Sequence, residues 1–451
     1  MRLTIIHPCI GRREGQRYMR GWQMEPLPAA LIAGLTPNDV DIRFYDDRME
    51  KIPFDEPTDL VALSVETYTA RRSYQIASEF RRRGIPVVMG GFHATLCPEE
   101  VAEYAESVVV GEAESSWSRV IDDYRSRTPE KFYRQNSRPA LTGLKYDRRI
   151  FEGKRYLPIG LVEAGRGCHF TCEFCAIQSV FSNSHVRRPI GDVISELKEL
   201  RKRNRGVFFV DDNFASNIPA AKEFLRELFP LKLKWVTQMS IDAAHDEEFL
   251  DLLSRSGCQG VLIGFESTNT ENLRSMNKSF ATGQGGFEPA LEKLKKYKIR
   301  VYATFVFGYD HDTPETFDET LDFALRHKFY IAAFNHLTPF PGTPLMSRLK
   351  RENRILSETW WMDESYTYNV IPFQPKNMTP DELQSRCVET RRKFYSIPNI
   401  FRRSVDPVNR SNAFMFSQFF PINFMHLKEV SIRNFHPLGD ETWSEPLLKA
   451  Q

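Results

Sequence analysis

Along the first ~135 residues, short apolar runs alternate with segments whose apolar positions recur every three or four residues. The runs LTIIHP (3–8), DIRFYD (41–46), LVALSVE (60–66), PVVMGG (86–91) and SVVVG (107–111) are short and rich in β-forming residues. Between them, PAALIAGL (28–35), ARRSYQIASEFRRRG (70–84), PEEVAEYA (98–105) and WSRVIDDYRS (117–126) carry helical spacing. Short apolar strands alternating with helices predict a parallel sheet covered on both faces, a doubly wound α/β domain.

The polar stretch 127–156 shows no sustained periodicity and is expected to form a connector. A second alternation follows. Its strands are IGLVEAG (159–165), GVFFVDDN (206–213), KWVTQMS (234–240), GVLIGFES (260–267), RVYATFVFG (300–308) and YIAAFNHLTP (330–339). Helical segments at 190–204, 218–230, 246–257, 287–298 and 313–328 separate them. Six βα units without a long break predict a sheet that curls into a full or partial barrel, with its active site at the C-terminal strand ends. Beyond residue 345 the pattern changes to a Trp- and Tyr-rich loop and a helix opening at TPDE, with Thr379 as cap and Pro380 in the first turn. The Phe-rich stretch 412–430 comes next. The expected organisation is a Rossmann-like domain (1–135), a linker (136–156), a barrel (157–345) and a mostly helical C-terminal region (346–451).

A chain of 451 residues is long enough for two or three cores. The formal charge of +2 gives no reason to expect a nucleic-acid partner. No window approaches the ~20 apolar residues of a membrane span, and the N-terminal apolar run is too short for a signal peptide. Seven cysteines, at 9, 97, 168, 172, 175, 258 and 387, do not form a secreted disulfide framework, so the expected compartment is a reducing cytoplasm.

Three of those cysteines, Cys168, Cys172 and Cys175, stand in C-x3-C-x2-C spacing within EAGRGCHFTCEFCAIQSVF (163–181), just after the first barrel strand. One reading makes them small buried hydrophobes on a helical face, which Gly165 and Gly167 argue against. A second is structural zinc, which wants four ligands; no second C-x2-C exists, and His169 is a poor fourth. The third is a four-iron cluster with one iron left open to a small molecule. It accounts for both the spacing and the absent fourth cysteine.

The loop GRGCHFTCEFCAI, with Phe174 before the last cysteine, resembles the signature of the radical S-adenosylmethionine (SAM) enzymes, over roughly residues 157–345. That resemblance implies a 4Fe-4S cluster on Cys168, Cys172 and Cys175, with SAM bound at the open iron and cleaved reductively. It implies an electron donor such as flavodoxin or ferredoxin. Carried over residue by residue, it places Asp211 and Asp212 at the SAM amino group and Ser240 at the carboxylate or ribose. Glu266 would meet the ribose, Lys278 the carboxylate, and the backbone of FVFG (305–308) the adenine. The bland alternatives are that the aspartates cap the next helix and that Lys278 is solvated.

A doubly wound domain before such a barrel resembles the cobalamin-binding subgroup. Its D-x-H-x-x-G loop has no counterpart in PCIGRREGQRYMRGWQMEPLP, which lacks histidine. Its later marks are present as Ser64 and the pair Gly90-Gly91. The resemblance thus implies a cobalamin-type fold with cobalamin as a possible cofactor, and His93 is noted as a candidate in the same cleft. Arg12, Arg13, Arg17, Arg20 and Trp22 of the first loop could instead recognise an anionic substrate. Trp360, Trp361, Tyr366 and Tyr368 are expected to close the barrel mouth. The Phe-rich segment is expected to pack on the barrel, with a substrate wall or a membrane-surface contact as alternatives.

The function implied is methyl transfer to a small specialised metabolite. The alternatives are a cobalamin-free cyclase or desaturase, aminocarboxypropyl transfer releasing methylthioadenosine, and a zinc- or cluster-stabilised binding protein.

Overall fold

The structure, a computed structural model, describes residues 1–15, 23–135, 137–202, 206–283 and 285–450. The first six strands form one parallel sheet: β1 (Arg2–His7), β2 (Asp41–Asp46), β3 (Leu60–Ser64), β4 (Val87–Gly90), β5 (Ser107–Val110) and β6 (Phe132–Arg134). Their order is β2-β1-β3-β4-β5-β6. The order reverses between β1 and β3, and at such a switch point the strand ends diverge and leave a crevice.

Helices α1 (Leu27–Leu35) and α3 (Trp117–Ser126) cover one face, where Ala30, Trp117 and Val120 meet Ile5, Ala62 and Val88. Helix α2 (Ala70–Arg82) covers the other, with Tyr74, Ala77 and Phe80 against Val61 and Leu63. The strand β6 falls in the stretch expected to be a connector. Only its Tyr133 is fully buried, so an edge strand of three residues leaves no apolar run to read.

The second sheet holds β7 (Ile159–Val162), β8 (Gly206–Phe209), β9 (Trp235–Gln238), β10 (Cys258–Glu266), β11 (Arg300–Phe307) and β12 (Ile331–His336). All neighbours are parallel and follow chain order, and β7 does not pair with β12, so the barrel stays open. Burial alternates along these strands. Phe209, Trp235, Val261, Ile263, Phe265 and Phe305 turn outward beneath the helices and are fully buried. Their neighbours Phe208, Val236, Leu262, Tyr302, Thr304 and Val306 are only half-buried on the concave side. A closed eight-stranded barrel fills that space with side chains. Here six strands leave a cleft.

The helices that cover the outer face begin where the sequence supplies caps: Asn217 accepts from Ala220 N and Asp246 from Phe249 N. The free edge of β12 is met by the C-terminal helices α10 (Pro380–Phe394) and α11 (Ile397–Ser404) and by Tyr395 between them. Tyr395 Oη donates to Ala332 O at 2.7 Å, Arg391 Nε to Phe334 O at 2.7 Å, and the fully buried Arg403 to Phe329 O at 3.0 Å. Side chains thus occupy a strand edge that would otherwise offer itself to another strand. Thr379 caps α10 through Glu382 N, as the TPDE pattern predicts.

Trp360, Trp361 and Tyr366 pack in a core of the first domain, and Trp360 also donates to Pro339 O just past the C-terminal end of β12. Trp361 Nε1 donates to Glu100 at 2.9 Å, and Tyr68 packs on both Trp360 and Tyr368. This strap of aromatic side chains fastens the chain after the barrel to the sheet before it.

Candidate active site

The cysteine loop is fixed before it holds anything. Gly165–Gly167 pairs antiparallel with His185–Arg187, forming a ribbon at its base. Asp211 Oδ1 accepts from Ala164 N and Asp212 Oδ2 from Gly167 N, both at 2.7 Å. At the far side, Glu173 N donates to Met276 O, and the Glu173 carboxylate receives Arg348 at 2.7 Å and Tyr309 Oη. Arg348 also pairs with Asp310 at 2.7 Å. Cys175 stands at the N-terminus of the short helix α4 (Ala176–Phe181), while Phe174 packs against the barrel core and Phe170 stacks on Phe280. The barrel's five covering helices are α5 (Ile190–Lys202), α6 (Ile218–Leu228), α7 (Glu247–Arg255), α8 (Phe287–Lys296) and α9 (Pro314–Arg326).

All seven cysteines are free thiols. Burial pushes the Cys172 thiol up to about 12, with Lys278 opposing and Cys175 and Cys168 adding to the shift. The three thiols therefore sense one another. Among the described residues, no three His, Cys, Asp or Glu side chains are gathered in a way that would hold a single metal ion. Three neighbouring thiols on one loop, beside the buried Lys278, are the donor set of a polynuclear iron–sulfur group.

Across the loop, Lys278 Nζ lies 3.0 Å from Glu266 Oε1, and both side chains are buried. Burial works against the Lys278 charge, but Glu266 and the nearby thiols outweigh it and raise the Lys278 pKa. Glu266 has a left-handed backbone, φ 62°, where the register between β10 and β11 shifts. Such a conformation costs on the order of 1–3 kcal/mol, and it persists at the strand end that faces the cleft.

The remaining sequence-predicted residues divide. Asp211 is 1% exposed; burial pushes its carboxyl up to about 7 against the Arg187 charge, and its Oδ2 has no hydrogen-bond partner. Asp212, raised to about 6 by burial, holds the Gly167 amide. Both therefore brace the loop. Asn213, which the sequence reading passed over, donates to Ser240 Oγ at 3.2 Å and to Cys168 Sγ at 3.6 Å. It is the last residue of VDDN, and only the strand's exact ending tells which of its three polar residues faces the thiols.

A cavity of about 310 Å³ lies between the domains. Ser64, Gly90 and Gly91 border it from the first sheet, and Arg166, Phe181 and Asp212 from the segment around the cysteines. It runs inward along Ile5, Ala62, Val88 and Val109 beneath α1. Gly91 has φ 101°, and a Cβ there would stand 2.8 Å from Val65 O, so the backbone can approach a ligand closely only as glycine. Glu66 opens onto the cavity while protein surrounds it, and its carboxyl is pushed up to about 7 by burial. His7 at the tip of β1 also lines it; burial, with Arg48 nearby, pulls its imidazole down to about 4. An apolar slot floored by glycines and bordered by a serine fits a flat aromatic group with a polar tail.

Arg166 ties the two domains across this cavity, pairing with Glu112 and Glu114 at 2.8 Å and Glu163 at 2.7 Å. By contrast, His93 lies outside the cavity, fully buried between Thr67, Glu100 and Trp361. Arg12 is committed to Asp47 at 2.6 Å, and Arg13 donates to Phe435 O. Arg17, Arg20 and Trp22 lie outside the described residues.

A doubly wound domain set over an open six-stranded barrel, with three thiols on the loop after the barrel's first strand, defines an iron–sulfur enzyme that works on a ligand held in the barrel cleft. A family profile described as the Radical SAM superfamily matches residues 162–324. The bacteriochlorophyllide d C-12(1)-methyltransferase of Chlorobaculum tepidum is 31% identical over 389 residues, spanning 84% of this chain and 84% of the relative. The bacteriochlorophyllide d C-8(2)-methyltransferase of the same organism is 27% identical, over 84% and 87%. The radical SAM methyltransferase TsrM of Kitasatospora setae, solved with cobalamin and a 4Fe-4S cluster bound, has a TM-score of 0.67 at 16% identity, over 96% of this chain and 99% of that one. This last likeness is one of fold. The chain belongs to the radical SAM superfamily, and its doubly wound domain followed by an open barrel shares the fold of TsrM.

Proposed function

We propose that this protein is a radical SAM methyltransferase that uses a 4Fe-4S cluster, SAM and cobalamin to methylate an unactivated centre of a small specialised metabolite. The observation that carries this reading is the shared wall: the interdomain cavity is bordered by Arg166, Phe181 and Asp212, which flank or brace the cysteine loop. The two methyltransferase relatives support the reaction class, and a bacteriochlorophyllide-like acceptor is the first to try.

Bound cluster, SAM and cobalamin supply reductive carbon–sulfur cleavage and a transferable methyl group. In this reading the chain's own residues bind and orient. Cys168, Cys172 and Cys175 hold the cluster and leave one iron for the amino and carboxylate groups of SAM. Lys278 pairs with that carboxylate, Glu266 faces the ribose hydroxyls, and Ser240 with Asn213 lines the approach. Ser64, Gly90 and Gly91 receive the cobalamin tail. Phe208, Leu262, Tyr302 and Val306 line the acceptor cleft and keep water from the reacting centre. The division into 1–135, 136–156, 157–345 and 346–451 assigns each part a role in this scheme. A flavodoxin or ferredoxin supplies electrons in a reducing cytoplasm, a setting that seven free cysteines support.

Anaerobic reconstitution tests the reading. A brown protein that takes up cobalamin, releases 5′-deoxyadenosine from SAM with a reductant, and methylates an acceptor bears it out. Cys172→Ala loses the brown absorption and all cleavage. Mostly methylthioadenosine instead would assign aminocarboxypropyl transfer, and cleavage without cobalamin uptake would assign a cyclase or desaturase.

A further inference from the structure

The last long helix, α12 (Ala413–Arg433), contacts the barrel through an unusual side. Its fully buried positions include Phe419 and the polar Asn423, which receives Arg403 at 2.8 Å. A stripe of Phe416, Phe420 and Phe424, four residues apart, has ring centroids 5.8 and 6.3 Å apart in succession; Phe416 and Phe420 are half-buried, Phe420 against Tyr330, Ile400 and Phe419, and Phe424 is exposed. Phe401 of the preceding helix joins the stripe at 5.4 Å from Phe420. Phe424 is 42% exposed, Phe401 53%, Ile397 56% and Val405 56%. A helix that folds only for its own stability buries its phenylalanines and exposes its asparagine. This one buries Asn423 beside Phe419 and leaves Phe414 and Phe424 exposed, over a surface shared by two helices.

The charge around the stripe has one sign. Residues 391–428 contain seven Lys or Arg, of which Arg403 is buried and Lys393 pairs with Asp318 and Glu389, and a single acidic residue, the buried Asp406. Arg402, Arg410 and Lys428 stand exposed beside Phe401, Phe414 and Phe424. Aromatic rings flanked by cations, with no exposed anion among them, match the interface of an anionic bilayer, where rings enter the headgroup boundary and cations meet lipid phosphates. No helix among the described residues is long and apolar enough to cross a membrane, so the contact is one of lying on the surface.

We propose that this two-helix face docks the protein onto an anionic lipid surface. The proposal stands apart from the reaction assigned above. Its test is sedimentation of the full-length reconstituted protein with phosphatidylcholine vesicles, with and without phosphatidylglycerol. The expected result is about tenfold tighter binding to the anionic vesicles, weakened by salt. The exposed pair Phe401→Ser with Phe424→Ser, and separately Arg402→Glu with Arg410→Glu, each lowers that affinity about tenfold. Both variants keep the brown cluster absorption and SAM cleavage of the parent, which shows that they fold. Absence of vesicle binding, or binding unchanged in both variants, overturns the proposal. A stable dimer in light scattering that Phe401→Ser with Phe424→Ser disperses also overturns it, and would assign the face to a second copy of the chain.

Discussion

The molecule contains two six-stranded parallel sheets that handle their faces differently. In the first, the central strands are buried almost end to end: β3, β4 and β5 each bury every residue but the last. In the second, β8, β9 and β11 alternate between buried and half-buried positions. A sheet covered on both sides opens to a ligand at its strand ends, and the interdomain cavity enters there before running inward beneath α1. A sheet covered on one side keeps its concave face for a ligand, and its strand ends carry the machinery around it. The same βα repeat thus yields two kinds of site, distinguished by how many faces are packed.

Three substitutions probe that difference. The largest effect is expected where the one-sided sheet buries charge. Lys278→Met strips Glu266 of its partner and should destabilise the barrel by roughly 3–5 kcal/mol, the usual cost of breaking a buried pair. Thermal unfolding measures this, and isothermal titration with SAM should show weakened binding. Cobalamin uptake by the first domain should persist.

The next concerns Asp211. Its folded carboxyl is raised from 3.8 to about 7 by burial. A raised acid favours the folded state while protonated and costs stability as pH rises from 3.8, with the full cost reached above about 7. Asp211→Asn retains an acceptor for the Ala164 amide and removes that charge. It should therefore stabilise the protein by roughly 2–4 kcal/mol at pH 8, with the gain shrinking steadily toward pH 4. Denaturant midpoints across that range would show the trend; a gain that grows at low pH would contradict it.

The smallest effect is expected in the two-sided sheet. Gly91→Ala forces a left-handed backbone on a residue with a Cβ and should cost on the order of 1–3 kcal/mol. Cobalamin uptake should fall in equilibrium dialysis while cluster absorption and SAM cleavage remain. A parallel loss of both would mean that the two sites are one cooperative unit.

Much of this architecture is legible in the sequence because strand and helix periodicities are strong where one packing rule dominates. WSRVIDDYRS is helical over the span its spacing predicts, and the remaining barrel strands begin within two residues of expectation. The failures have a common physical source. Phe132–Arg134 becomes a strand through a neighbour's edge, not through its own apolar content. Trp361 has the aromatic character of a lid, but the partner that fixes it, Glu100, lies some 260 residues earlier. His93 has the type of a ligand and the surroundings of a core residue. Of the site, the thiols are visible by spacing alone. Asn213 and the Glu173–Arg348 brace depend on pairings across the barrel that no local pattern encodes.

The cysteine loop is held by a ribbon at its base, by two aspartates beneath it and by an arginine and a tyrosine across the barrel, and none of these braces is a metal ligand. Its shape is therefore inherited from the fold. In small zinc domains the metal does the folding, and chelation unravels the chain. Here the braces are all protein groups, so the polypeptide is expected to keep its unfolding transition when the cluster is stripped, which calorimetry of the apo-protein would check. Oxygen damage would then empty the socket without destroying it, which makes the enzyme repairable by refilling rather than by resynthesis.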